Sequence, residues 1–247
     1  MDADLFPTMA RLEDWHWWFS GRREIAQRML ARIALPPRAE ILDAGCGTGG
    51  NLAMLSQFGA VSGMEFDSAA LELARRRGVG DVRPGCLPDS IPFEKQRFDL
   101  ITLMDVLEHV EQDVASLTSL RAHLKPGGSL FITVPAFPFM WSHHDVTHHH
   151  YRRYRASGLR AAVTSAGYTV AFSSYYNMWL FPFISAARLV QRGIGGKKSD
   201  LGPPPRMLNW MLRRIFASER HWLGRGLKCP VGVSLMLIAR PAQSVNR

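Results

Sequence analysis

A chain of 247 residues with 47% hydrophobic and 21% charged residues can bury the core of one α/β domain with an insertion, which excludes wholesale disorder. Three cysteines, Cys46, Cys86 and Cys229, form no CxxC pair, so a disulfide framework is excluded and a reducing cytoplasm is the expected setting. Ten Lys and Arg face two acids between Met178 and Pro230, so that segment carries +8 of the net +9, which points to a localised anionic partner or a solvated basic face.

The opening MDADLFPTMARLEDWHWWF lacks a basic n-region followed by an apolar h-region and does not read as a signal peptide. SGRREIAQRMLARIAL predicts a helix capped by Ser20, with Ile25, Met29 and Ile33 at i, i+4 spacing. AEILDA predicts a strand, GCGTGG a turn and NLAMLSQFG a helix. AVSGMEF and SAALELARRRG predict the next strand and helix. FDLITLM is a continuous apolar strand of the kind buried on both faces of a parallel sheet. QDVASLTSLRAHLKPGG predicts a helix stopped by Pro and Gly, followed by the strand SLFITVP. Arg155–Ala166 and TVAFSS add a helix and a strand, and VSLMLIAR is the last strand. GIGGKKSDLGPPP (193–205) reads as a flexible loop. Alternating strands and helices predict a doubly wound, mostly parallel sheet.

ILDAGCGTGGN admits two readings. Gly45-x-Gly47-x-x-Gly50 satisfies the dinucleotide fingerprint, while Asp43-x-Gly45-x-Gly47-x-Gly49 satisfies an acidic-first glycine motif that binds S-adenosylmethionine. Both need a strand-to-helix turn where missing side chains let a ligand approach the backbone. Glu65, twenty residues after Gly45, stands where an acid reaches a ribose diol, which both ligands contain.

With FDLITLMDVLEHV and LKPGGSLFITVP following in order, the chain resembles class I S-adenosylmethionine-dependent methyltransferases of the small-molecule, ubiquinone-pathway type. HWWFSGRREI and the HD(x4)HxRRY pattern resemble a bacterial subgroup of them. The resemblance implies a seven-stranded sheet with an antiparallel last strand and a helical insertion before it. It implies one methyltransferase domain over 1–247, with an N-terminal helical cap over 1–37 and a basic lid over 178–230. It implies S-adenosylmethionine as cofactor, with Asp43, Gly45, Cys46 and Gly47 along its methionine and ribose part and Glu65 on the ribose hydroxyls. Phe66 would lie against adenine, beside Cys86 and Leu87, where the family often has a Gly-Asp pair and this chain has Gly85-Cys86. Met104 and Asp105 would flank the sulfonium, with Phe19 and Arg23 closing over the cofactor.

Methyl transfer is an in-line displacement that needs a positioned acceptor and often a base. The candidates are His144, Asp145, His150 and His109. The subgroup pattern retains His144, Asp145, His150, Arg152, Arg153 and Tyr154 of HHDVTHHHYRRY (143–154), leaving His143, His148 and His149 as solvated extras. The segment follows Pro135-Ala136-Phe137-Pro138, which favours a loop. Asp145 is expected to orient an imidazole, His144 above all. Arg152 and Arg153 suit an anion or a salt bridge to the N-terminal helix. Asp105, Glu108 and His109 echo the metal-holding set of some O-methyltransferases, but the expectation here is no metal.

MWLFPFISAA (178–187) is too short to span a bilayer. RMLNWMLRRIFASERHWL carries Leu208, Met211, Leu212, Ile215 and Trp222 on one face and arginines opposite, the pattern of an interfacial helix or of a lid. The expectation is therefore a cytoplasmic methyltransferase acting at oxygen on a small or lipid-like acceptor that can be anionic. Peripheral contact with the inner membrane face would run through 178–230, and nucleic acid is not the expected partner. The alternatives are a metal-dependent catechol-type O-methyltransferase and a non-catalytic cofactor-binding partner subunit.

Overall fold

AEILDA forms β1 (Ala39–Ala44), and all but one of its residues are buried, because helices cover both faces of the sheet around it. The structure, a computed structural model, describes residues 6–193 and 204–242; the loop expected over 193–205 lies almost wholly outside them.

Two helices precede β1, α1 (Phe6–Leu12) and α2 (Trp17–Leu30). The start of α2 differs from expectation: His16 is its N-cap, through Nδ1 and the Trp18 amide, and Ser20 lies buried inside it. The glycine turn leads to the short α3 (Leu52–Leu55), then β2 (Gly59–Glu65) and α4 (Ser68–Arg76). Asp67 caps α4 by accepting the amides of Ala69 and Ala70. β3 (Asp81–Pro84), β4 (Phe98–Met104) and α5 (Asp113–Arg121) follow. LKPGG does not prolong α5; it opens β5 (Leu124–Pro135), whose register against β4 slips between Phe98 and Leu100. Glycines there are tolerated as an irregularity in a strand.

The segment expected as a loop contains a short helix, α6 (His143–Thr147), started by a capping box between Ser142 and Asp145. α7 (Ala156–Ser165), β6 (Tyr168–Tyr176), α8 (Phe181–Gly193), α9 (Arg206–Leu223) and β7 (Ser234–Pro241) complete the described elements.

The sheet order is β3-β2-β1-β4-β5-β7-β6, parallel except for β7, which runs antiparallel to both β5 and β6. Ile25, Met29, Leu52, Leu55, Ala74 and Phe216 fill one side, where α2, α3, α4 and α9 pack. Leu117, Leu120, Leu159 and Val163 of α5 and α7 fill the other. α9 lies along α2, with the Trp18 and Phe216 rings stacked 5.4 Å apart. Its buried side is rotated from the one its sequence suggested. Phe216, Ala217 and Leu223 are buried and the expected Leu212 and Ile215 pack against the core, while Leu208, Met211 and Trp222 are exposed. Two polar anchors set that rotation. Asn209 accepts the Trp17 amide and donates to the Trp15 carbonyl, and buried Glu219 accepts the amides of Asn177, Met178 and Trp179.

Candidate active site

The carboxyl ends of β1, β2, β4 and β5 open into one cavity of about 1040 Å³, the place where open α/β sheets hold their ligands. Its first half is built from backbone. Gly45 and Cys46 donate their amides to the Met64 carbonyl at 2.9 Å, closing the turn after β1 onto β2. Gly45 has φ +80°, and a Cβ there would sit 2.7 Å from Val106, while a Cβ on Gly47 (φ +56°) would project into open space. The Glu65 carboxylate accepts the amides of Gly47 (2.8 Å), Phe66 and Asp67 (both 2.9 Å). Phe66 is 77% exposed and, with Cys86 and Leu87, lines this end of the cavity.

Two expected cofactor residues stand elsewhere. Asp43 does not line the cavity; it is buried below the turn, taking the Thr102 hydroxyl at 2.6 Å. Burial pushes its carboxyl up to about 7, opposed by that hydrogen bond and by Arg22, and its Oδ2 has no hydrogen-bond partner. Arg23 donates to the Glu13 carbonyl and stays off the cavity wall. Arg22 is the arginine that reaches the cavity, paired with Asp105. Arg22 lies three residues after Phe19, on the same face of α2, and that spacing was the missed signal. Asp105, at φ +59°, also accepts the Thr133 hydroxyl at 3.0 Å. Phe19 and Met104 line the cavity as expected. Glu13 and Thr48, which the sequence did not single out, tie the N-terminal segment to the glycine turn: Glu13 accepts the Thr48 hydroxyl at 2.6 Å and Arg77 Nη2 at 2.9 Å. His16 lines the cavity with a buried Nε2 that has no hydrogen-bond partner.

The second half is built from side chains. Asp145 is fully buried and is its hub. It holds Arg153 through two hydrogen bonds of 2.7 and 3.0 Å, accepts the Ser142 amide, and lies 2.8 Å from His150 Nδ1. These donors outweigh burial and hold its carboxyl well below the usual range. A carboxylate can only accept, so His150 donates from Nδ1; the neutral imidazole in that tautomer carries its lone pair on Nε2. Asp145 therefore orients His150, correcting the expectation that it serves His144.

His144 stacks instead on His148, with ring centroids 4.0 Å apart, and His109 meets His150 edge-on at 4.6 Å. His148 is buried and lines the cavity, against its expected place in solvent, because α6 turns it inward at i+4 from His144. His143 is exposed. Burial, with His150 and His148 adding to it, lowers His109 to about 3; burial also lowers His144 well below its ordinary value. Burial raises Glu108 to about 8, so its carboxyl is mostly protonated at neutral pH. The Tyr151 amide donates to the Glu108 carbonyl at 2.8 Å and clamps the two segments together. Arg152 binds Asp113 and the Glu111 carbonyl. Both arginines thus fix the segment, but to α5 and to the segment itself, not to the N-terminal helix. From α8, Ile184, Ala187 and Arg188 close the cavity wall, and Arg188 donates to the Met140 carbonyl at 3.2 Å.

One group among the described residues could ligate a cation: Glu108, His109 and His150 offer ligand atoms within 4.8 Å of one another. It differs from the expected rival set, because Asp105 is engaged by Arg22 and His150 takes its place.

Residues 15–171 match the family model described as a methyltransferase domain. Over 109 residues, 42% of this chain and 45% of the relative, the sequence is 33% identical to a ubiquinone biosynthesis O-methyltransferase of Xanthomonas campestris pv. campestris (strain B100). Over 134 residues, 51% of this chain and 55% of the relative, it is 31% identical to a demethylmenaquinone methyltransferase of Clavibacter sepedonicus. The matched stretches thus span about half the length of these curated relatives. A solved S-adenosylmethionine-dependent methyltransferase of Clostridium acetobutylicum superposes with a TM-score of 0.58 at 11% identity, covering 90% of this chain and 92% of that one. That similarity carries the fold.

Proposed function

The chain belongs to the methyltransferase-domain family of S-adenosylmethionine-dependent enzymes, and from that premise we propose that it methylates an oxygen of a small, lipid-like acceptor, with His150 as the base. The names of the relatives, one for ubiquinone biosynthesis and one for demethylmenaquinone, support a quinone-like acceptor class. The apolar wall of Trp17, Trp18, Phe19 and Ile184 suits such a molecule.

The residues present fit the cofactor. The open space at Gly47 admits a ligand against the backbone, Glu65 brings a carboxylate to the cavity wall, and Phe66 offers an exposed ring for adenine. When bound, S-adenosylmethionine supplies a methyl carbon activated by positive sulfur. Gly45, Cys46, Gly47, Glu65, Phe66, Cys86 and Leu87 hold it, with Phe19, Met104 and the Arg22–Asp105 pair at its reacting end. Asp43 supports the turn from below.

The observation that carries the proposal is the Asp145–His150 pair in the same cavity as the glycine turn. Nε2 of His150 would take the acceptor's hydroxyl proton as the oxygen accepts the methyl group that S-adenosylmethionine would supply, the sulfur keeping the electron pair of the bond it gives up. Asp145 fixes the imidazole and balances its new charge. His109 and His144, held neutral by burial, shape the pocket without competing for the proton. A base contributes typically 10²–10⁴-fold, so His150→Ala should lower turnover on a panel of quinols and catechols by about that factor and leave S-adenosylhomocysteine affinity unchanged. Turnover within a few-fold of the parent would remove His150 from this role.

A second reading follows from the spacing of Glu108, His109 and His150: a divalent cation there would lower the acidity barrier of the acceptor hydroxyl. Dialysis against a chelator separates the two. Activity that survives supports the base, and activity lost and recovered with Mg²⁺ or Zn²⁺ supports the cation.

A further inference from the structure

Helix α8 has two working sides. Ile184 and Arg188 line the cavity, Ala187 lines it from an exposed position, and Phe183 (74% exposed) and Val190 (61%) face outward. Phe183, Ala186, Ala187 and Val190 follow i, i+3, i+4, i+7 spacing, so they form one apolar stripe. Helix α9 contributes none of the described residues that line the cavity, but through Asn209 it holds the amide of Trp17, which does line it. It shows a stripe of its own, with Met207 77%, Trp210 60% and Met211 45% exposed. Large apolar side chains clustered outside a core mark a contact surface.

The charges on α9 narrow the partner. Its one acid, Glu219, is buried as an amide acceptor, so the charges it shows to solvent are basic: Arg206 and Arg214, with Arg213 and Arg220 paired to Glu24 of α2 at 2.8 and 2.6 Å. Arg214 lies over the Trp210 ring at 5.9 Å, an arrangement in which an aromatic ring enters a headgroup layer beside a cation. No helix among the described residues is long and apolar enough to cross a membrane.

We propose that the outer faces of α8 and α9 dock on an anionic phospholipid bilayer, Phe183 and Trp210 entering the interface and Arg206 and Arg214 meeting lipid phosphates. Docking brings the cavity wall at Ala187 against the lipid. This explains how a lipid-like acceptor would enter without crossing water, and in that purpose alone it rests on the function proposed above.

The test needs no acceptor. The full chain is floated with vesicles of phosphatidylcholine alone or mixed with phosphatidylglycerol, and S-adenosylhomocysteine affinity is titrated in parallel. The parent should float with the anionic vesicles and much less with the neutral ones. Phe183→Ser with Trp210→Ser, and separately Arg206→Glu with Arg214→Glu, should each lower the bound fraction about tenfold or more, with S-adenosylhomocysteine affinity unchanged. Absence of flotation, flotation that both variants retain, or a dimer that the Trp210 variant dissociates would overturn the proposal. Loss of S-adenosylhomocysteine binding in the parent would instead strike the functional reading and leave docking to be judged by the vesicles.

Discussion

The two ends of the cavity are built by opposite means. At the glycine end, the wall is held together by main chain: three amides converge on Glu65, and two more close on Met64. At the histidine end, the wall is made by side chains of 108–109, 144–153 and 184–188, which meet where the ends of β4 and β5 open into the cavity that α8 borders. A backbone site tolerates side-chain change around it, since each amide is present whatever the residue. The side-chain site depends on one buried carboxylate.

That contrast is sharpest at Asp145. Asp145→Asn leaves the Arg153 guanidinium, 2% exposed, without its counter-charge, which costs about 3–5 kcal/mol. The thermal midpoint should fall by about 10 °C or more, while the variant, held below its new midpoint, still binds S-adenosylhomocysteine. If cofactor affinity collapses with stability, the two ends are one cooperative unit and the contrast is wrong.

Glu65→Ala strikes the other end. It removes hydrogen bonds to the ribose, each worth about 1–3 kcal/mol when a partner is left unpaired, so titration should show affinity weaker by about 10- to 100-fold and the Asp145 network undisturbed. A change under twofold would cancel the ribose role of Glu65.

The smallest effect is read from acid sensitivity. Burial holds folded His109 near 3, below an unfolded value of about 6.5. The folded chain therefore binds fewer protons in that window. This contribution is present above pH 6.5 and is lost as pH falls toward 3. His109→Gln removes the titration, so between pH 7.5 and 5 the variant should lose about 1–2 kcal/mol less stability than the parent in denaturant melts. Equal losses would mean that His109 is open to water in solution.

Residues near in sequence were read best. The glycine turn, the apolar strands, and α9 from Arg206 to Leu223 all follow from local periodicity and turn chemistry. Errors arose where a short-range cap was passed over or a distant strand outweighed a local signal. The His16 cap displaced Ser20, and β4 drew LKPGG into β5. The Ser142–Asp145 capping box made a helix where prolines suggested a loop.

By itself, the order of AEILDAGCGTGG, GMEF and FDLITLM predicted the alternating sheet and the end of it where a ligand would sit, because each is a property of neighbours along the chain. The cofactor class followed from the resemblance that DVLEHV and LKPGGSLFITVP completed. Tertiary structure alone decided that Arg22 and not Arg23 enters the cavity, that Asp145 serves His150, that His148 turns inward, and that α9 buries Phe216 while exposing Met211. Each choice is a competition among similar residues on one helix or loop. Partners far along the chain decide it for Arg22 and α9, and the short helix α6 decides it for Asp145 and His148, since burying a polar group is favourable only where its hydrogen bonds are met.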